Sequence, residues 1–290
     1  NKILIILLLL PFGLFGQGNF FWSHIKTTEE VVVYELSLPD ETAMDLWFKP
    51  DGTKLFILTS SASSGSSKIY EYSLNTAWDI STYTQSNIWV ISPADNVPQS
   101  LYISPDGTSL YFSSSYSDAI KQYTLSPAFS TVSPTYTGTL NISSLFAYPQ
   151  GMFFKSDGSM MYVSGVSYSP ATNHRIITYE LSTPWVITTA SYASAIENIS
   201  FHQKYTEGES LTDLAFNSLG TKSYVLTFYP GYVFEYNVSP AWFPSFGDDN
   251  EINLNDEGTR GMYISPDNSY LYVIGTGYAY SSVFIKKFNL

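Results

Sequence analysis

The chain has 290 residues, 44% of them hydrophobic, 17% aromatic and 13% charged, and its 25 acidic against 13 basic residues give a formal net charge of −12. The absence of cysteine excludes disulfides, thiolate metal sites and cysteine nucleophiles. The acidic balance argues against nucleic acid, whose phosphates call for clustered Lys and Arg, and suits a cation, a sugar, a basic protein or plain solubility.

In chain order, the first element is a leader. Asn1-Lys2, an apolar run over 3–10 and a small-residue exit ending at Gln17 read as a signal peptide over residues 1–17, shorter than the roughly 20 apolar residues that a membrane-spanning helix needs. The expectation is a secreted or periplasmic protein without membrane insertion, with residues 18–290 forming one domain.

That domain is built on a repeat. The turn Lys49-Pro50-Asp51-Gly52 returns as Ser104-Pro105-Asp106-Gly107, Lys155-Ser156-Asp157-Gly158, Asn217-Ser218-Leu219-Gly220 and Ser265-Pro266-Asp267-Asn268. Pro presets φ, Asp bonds its own backbone, and Gly or Asn accepts a positive φ, so these are hairpin turns and their Asp residues are turn parts. An apolar strand ending in Phe48, Ile103, Phe154, Phe216 or Ile264 leads into each turn, and a second strand leaves it. A third strand follows at 69–74, 120–125, 176–181, 233–238 and 285–290, and a fourth follows Trp78, Phe129, Trp185 and Trp242 in the first four units. Four antiparallel strands per unit of about 50 residues make a propeller blade, and five units make an all-β, five-bladed β-propeller.

The fifth unit runs only to its third strand at Leu290. Trp22 and the strand beginning at Val31 imitate Trp78 and the strand at 88–91, at nearly the same distance from the next inner strand. The expectation is that 31–36 lies beside 285–290 as the outer strand of the last blade, leaving no open edge between the ends of the sheet. A competing reading makes 31–36 a third strand, because Tyr34-Glu35-Leu36 resembles Tyr179-Glu180-Leu181.

The Ser-Pro-Asp-Gly turns followed by Leu-Tyr-Phe or Leu-Tyr-Val resemble the WD40-like propeller repeats of the TolB and YVTN kind. The stretch from Tyr70 to Leu74 and on through Ala77-Trp78-Asp79-Ile80-Ser81-Thr82 is similar to a repeat of secreted propellers from marine bacteria and their phages. The resemblance implies the fold and leaves function open, because propellers host lectins, scaffolds and hydrolases alike.

Loops joining the second strand to the third, and the outer strand to the next inner strand, gather on one face. The former are rich in Ser, Gly and Tyr, with Tyr116, Tyr168, Tyr229 and Tyr278 as contact candidates. Counting back from each turn puts Asp45, Ser100, Gly151, Asp213 and Gly261 at the start of the inner strands, just after Met44, Gln99, Gln150, Thr212 and Arg260. Asp45, Gln99, Gln150, Asp213 and Arg260 are the ligand candidates at the channel mouth, against the alternative that they only hydrate it. Asp45 and Asp213 would be the carboxylate pair of a glycoside hydrolase, with no third acid at an equivalent position.

The tract from Asp248 to Glu257 alternates oxygen side chains and raises possible calcium binding, but Leu254 stands where an EF-type loop needs Gly, which favours a solvated edge strand. Only His24, His174 and His202 are present, in different units, and the Asn-x-Ser triplets at Asn141, Asn198 and Asn237 matter only in a glycosylating host. The expectation is a non-catalytic binding propeller, without cofactor unless calcium, that recognises a glycan, surface polymer or protein partner. Alternatives are a glycoside hydrolase acting at the channel and a structural part of a larger secreted or viral assembly.

Overall fold

The structure, a computed structural model, describes residues 32–36, 38, 41–61, 67–91, 97–146, 148–166, 174–196, 211–228, 231–244, 250–254, 258–276 and 283–290. The leader at 1–17 and the candidates Tyr168, Tyr229 and Tyr278 lie outside them.

Among the described residues, twenty strands, numbered in chain order, form five four-stranded antiparallel sheets. Blade 1 is β2 (Glu41–Phe48), β3 (Lys54–Ser61), β4 (Lys68–Leu74) and β5 (Tyr83–Val90). Blade 2 is β6 (Pro98–Ile103), β7 (Ser109–Ser114), β8 (Ala119–Thr124) and β9 (Thr135–Asn141). Blade 3 is β10 (Tyr148–Phe154), β11 (Met160–Val166), β12 (His174–Leu181) and β13 (Ala190–Ile196). Blade 4 is β14 (Leu211–Phe216), β15 (Lys222–Thr227), β16 (Tyr232–Asn237) and β17 (Asn250–Asn253). Blade 5 takes β18 (Thr259–Ile264), β19 (Tyr270–Thr276) and β20 (Val283–Asn289) from the end of the chain and β1 (Val32–Leu36) from its beginning.

β1 pairs antiparallel with β20, Tyr34 opposite Ile285, and so fills the outer position. The spacing argument therefore prevails over the local resemblance of Tyr34-Glu35-Leu36 to a third strand. β17 holds the middle of the acidic tract at the outer edge of blade 4, as expected of a solvated edge strand.

The turns follow from their residues. Gly52, Gly107, Gly158 and Gly220 have φ of 73°, 74°, 74° and 67°, and Asn268 has 59°, the left-handed region that Gly and Asn tolerate. Asp51, Asp106, Asp157 and Asp267 each accept the N–H two residues on, at 2.9–3.1 Å. Blade 4 has Leu219 at that place, and Asn217 substitutes by accepting from Thr221 N–H at 2.8 Å.

The aromatics that announce the fourth strands finish these turns. Trp78, Phe129, Trp185 and Trp242 have φ between 56° and 69° and donate their N–H to the carbonyls of Gly52, Gly107, Gly158 and Gly220 at 2.9–3.1 Å. Each ring then lies over its glycine, in the space that a Cβ there would need.

No blade buries both its faces alone. The described buried apolar residues fall into five clusters, each drawn from two adjacent blades; the one between blades 5 and 1 joins Phe48, Leu55 and Tyr72 to Tyr272, Ile274 and Ile285. Buried hydroxyls staple the same interfaces. Tyr111, Tyr162 and Tyr272 donate to the carbonyls of Trp185, Trp242 and Trp78 in the next blade at 2.6, 2.7 and 3.1 Å. Blade 1 has Phe56 at the equivalent place, and Lys54 Nζ instead donates to the carbonyl of Phe129 at 2.8 Å.

Ring closure should therefore be measurable. A chain lacking 18–36 should lose its cooperative thermal transition, because β20, still paired with β19, loses its outer partner and becomes an open edge, and the interface between blades 5 and 1 loses Leu36. Tyr272→Phe, which deletes one closing hydrogen bond, should fold with stability lower by about 1 kcal/mol in chemical denaturation.

Candidate functional site

The five inner strands β2, β6, β10, β14 and β18 stand side by side around the axis, β18 again beside β2. Each carries a β-bulge at its start: the register slips between 43 and 45, 98 and 100, 149 and 152, 211 and 213, and 259 and 261. An extra residue kinks a strand and re-aims its side chain. The extra residues are Met44, Gln99, Thr212 and Arg260, with Gln150 and Gly151 in blade 3.

Met44 and Thr212 are buried, whereas Gln99, Gln150 and Arg260 are partly exposed. Gln99 Nε2 donates to Ser115 Oγ at 3.1 Å, and the Arg260 guanidinium stands 4.2 Å from the Phe228 ring centroid. Tyr116 is 66% exposed.

The next residue along each inner strand reads Asp45, Ser100, Gly151, Asp213 and Gly261. Asp45 Oδ1 accepts from its neighbour Leu46 N–H at 2.7 Å, and Oδ2 accepts from Leu101 N–H of blade 2 at 2.6 Å. Asp213 repeats this with Leu214 N–H and, across to blade 5, Met262 N–H, both at 2.8 Å. Each carboxylate thus latches its own inner strand to the next. Where Asp is missing, other groups act: Ser113 Oγ of blade 2 donates to the Gln150 carbonyl at 2.9 Å, and Thr276 Oγ1 of blade 5 accepts from Ala43 N–H at 3.1 Å.

Gly precedes each Asp around the ring for want of space. A Cβ on Gly151 would lie 2.6 Å from the Asp213 Cα, and one on Gly261 2.6 Å from the Asp45 Cα.

Both carboxylates are 3% exposed and line one cavity of about 250 Å³. Burial pushes Asp45 up to about 7, against the lowering effect of the Leu101 and Leu46 N–H groups and the nearby Ser100 hydroxyl. Burial, and then the charge of Asp45, push Asp213 well above the usual carboxylate range. The two acids therefore share one electrostatic site, and the first proton added belongs to the pair.

The cavity is the bore itself. Above the acids it is walled by Trp47, Tyr102, Phe153, Ala215 and Tyr263, one from each blade, and it ends among Pro50, Pro105, Ser156, Ser218 and Pro266 of the turns. The last four of these are exposed, so the cavity opens on the turn face, opposite the loop face where the candidates Gln99, Gln150, Arg260 and Tyr116 lie. Of the candidate residues, the structure brings Asp45 and Asp213 together and places those four outside the cavity. Glu41, the first residue of β2, is buried against Lys68 and the Thr59 hydroxyl. Among the described residues no group of three or more His, Asp or Glu side chains is placed to hold a metal ion.

No protein-family model matches the chain, and no curated protein matches it. Among solved structures, Kuenenia stuttgartiensis hydrazine synthase aligns at 16% identity and a TM-score of 0.48, over 87% of this chain and 59% of that one. The periplasmic gluconolactonase of Pseudomonas aeruginosa aligns at 14% and 0.45, over 84% and 69%. The WD40 repeats of RRP9 align at 10% and 0.47, over 89% and 97%. The chain thus spans less than two thirds of the hydrazine synthase chain, and at these identities the likeness is one of fold alone.

The acid pair sets a pH dependence. Between the usual carboxylate range and about pH 7 the folded chain holds a proton that the unfolded chain has released, so raising the pH through this window lowers stability, by up to about 1.4 kcal/mol per pH unit for one group. Asp51 and Asp157 act in the opposite sense at lower pH: although slightly desolvated, they are held down to about 2 by Lys49 and Thr53 and by Lys155 and Ser159, and their contribution is lost as pH falls below the usual range. Thermal melts should show a midpoint that falls from about pH 5 to about pH 8. Asp213→Asn, which removes one of the two like charges, should flatten that fall.

Proposed function

We propose that this propeller is an exported, non-catalytic binding protein that recognises a glycan, surface polymer or protein partner through its loop face. The observation that supports this reading is the engagement of the acids: Asp45 and Asp213 each hold two backbone N–H groups, one of them in the next blade. They serve as structural latches at the floor of a cavity that opens on the other face. The loop face offers the side chains of a recognition surface, with exposed Tyr116 and partly exposed Gln99, Gln150 and Arg260; Tyr and Arg are the residue types that most often carry binding energy.

A second reading, glycoside hydrolysis at the channel, is favoured by one observation. Asp45 is pushed up to about 7 beside a second carboxylate, and a general acid needs such a shift.

A glycan array and a pull-down from the native source test the first reading. Binding should weaken about tenfold in Arg260→Ala or Tyr116→Ala, a typical effect for a central contact, with the melting midpoint unchanged and with no reducing sugar released. Reducing-sugar release abolished by Asp213→Asn would replace this reading with the second.

A further inference from the structure

We propose that the central cavity is a binding site for a small organic ammonium ion, held between the aromatic walls Trp47, Tyr102, Phe153 and Tyr263 and the paired carboxylates Asp45 and Asp213. This site lies at the opposite end of the channel from the loop-face reading and stands independently of it.

Shape comes first. At the third residue of the inner-strand motif, four blades supply an aromatic ring and blade 4 supplies Ala215. The rings support one another: Trp47 meets Tyr102 and Tyr263 edge-on at centroid distances of 6.4 and 6.0 Å, and Tyr102 meets Phe153 at 5.7 Å. The missing fifth ring leaves the space, which is why blade 4 lines so much of it, from Asp213 to Ser218 and including Trp242. Walls braced in this way are organised before any ligand arrives, which reduces the entropy cost of binding.

Charge comes second. Two carboxylates on one cavity repel each other as they ionise, so that the pair keeps a proton unless a cation takes its place, and Lys and Arg are absent from the described residues that line it. Backbone N–H groups stabilise the acids locally but bring no net positive charge. A cation supplies it, whereas a neutral ligand leaves the repulsion unchanged and an anion adds to it.

The kind of cation follows from the walls. Calcium and similar hard ions take six to eight oxygens, but most of this lining is carbon. Alkylammonium groups gain from both parts, because aromatic faces carry negative potential that attracts a weakly hydrated cation and the acids complement its charge. The negative chain, at −12, also draws cations toward the open turn face.

Calorimetric titration of the full chain with choline chloride tests the proposal, against sodium chloride at equal ionic strength and the neutral isostere 3,3-dimethylbutanol. Saturable heat is expected with choline alone. Ala215→Phe, which places in blade 4 the residue that blade 3 already has, should weaken choline binding by about tenfold or more with the circular dichroism spectrum unchanged; if that variant is unfolded, Ala215→Leu reports the same loss. The pair Asp45→Asn and Asp213→Asn should weaken it likewise. The absence of saturable heat with choline, equal binding of the neutral isostere, or choline binding unaffected by filling the cavity at Ala215 would each overturn the proposal. Glycan or partner binding at Arg260 and Tyr116 can succeed or fail without bearing on any of these outcomes.

Discussion

Five inner strands meet around a bore too narrow to take a side chain at every position, and the rest of the molecule accommodates that constraint. At its tightest level the residues are two Asp, one Ser and two Gly, and the glycines stand where a Cβ would collide with the next blade's Asp. Close approach brings each Asp within reach of an N–H on the following inner strand, so the crowding that forbids side chains in two blades makes the latch possible in two others. The cost is two carboxylates withdrawn from water into one site, which raises both their proton affinities.

Outward from the bore, one task is repeated with different chemistry. Every blade must join its neighbour, and the joints are interchangeable: a Tyr hydroxyl in blades 2, 3 and 5, the Lys54 ammonium where blade 1 has Phe56. The middle of the third strand shows the same substitution. Glu71 accepts from Thr131 N–H and Oγ1 of blade 2, and Gln122 donates to the Trp185 carbonyl of blade 3 while accepting from Ile187 N–H. A buried donor or acceptor left unpaired costs about 1–3 kcal/mol, so each blade is held to supplying a partner while the residue type is free to drift. This explains how a regular ring arises from repeats that share few residues beyond their turns.

The same logic separates what can be read in the sequence from what cannot. The hairpin turns are legible because a positive φ restricts residue choice locally, at Gly52, Gly107, Gly158, Gly220 and Asn268. The closing strand is legible from the spacing between Trp22 and Phe48, because it nearly matches the spacing between Trp78 and Ile103, where an outer strand leads into the next inner one. Counting back from the turns also brings Asp45 and Asp213 to one level. The roles of Gly151 and Gly261 are not legible, since they answer to a neighbour a whole blade away. Nor is the direction in which the cavity opens, which depends on bulges that hydrophobic alternation does not reveal. One overlooked signal is present in the sequence: aligning the inner strands on their turns gives Trp47, Tyr102, Phe153, Ala215 and Tyr263, and a single Ala in a column of aromatics marks a vacant volume.

That column bears on how the molecule divides its work. A latch needs only that the acids be buried and hydrogen-bonded; it does not need an open space beside them, and a fifth aromatic at position 215 would shield the pair further. A bore lined by rings on four sides and open on one leaves charge and cavity in contact, at some expense in packing. Sequences that break a local rule without an evident structural gain tend to do so at functional sites. Ala215 breaks the rule of its column where the most perturbed carboxylates among the described residues lie, which is the ground for proposing the bore, as well as the loop face, as a place where a ligand binds.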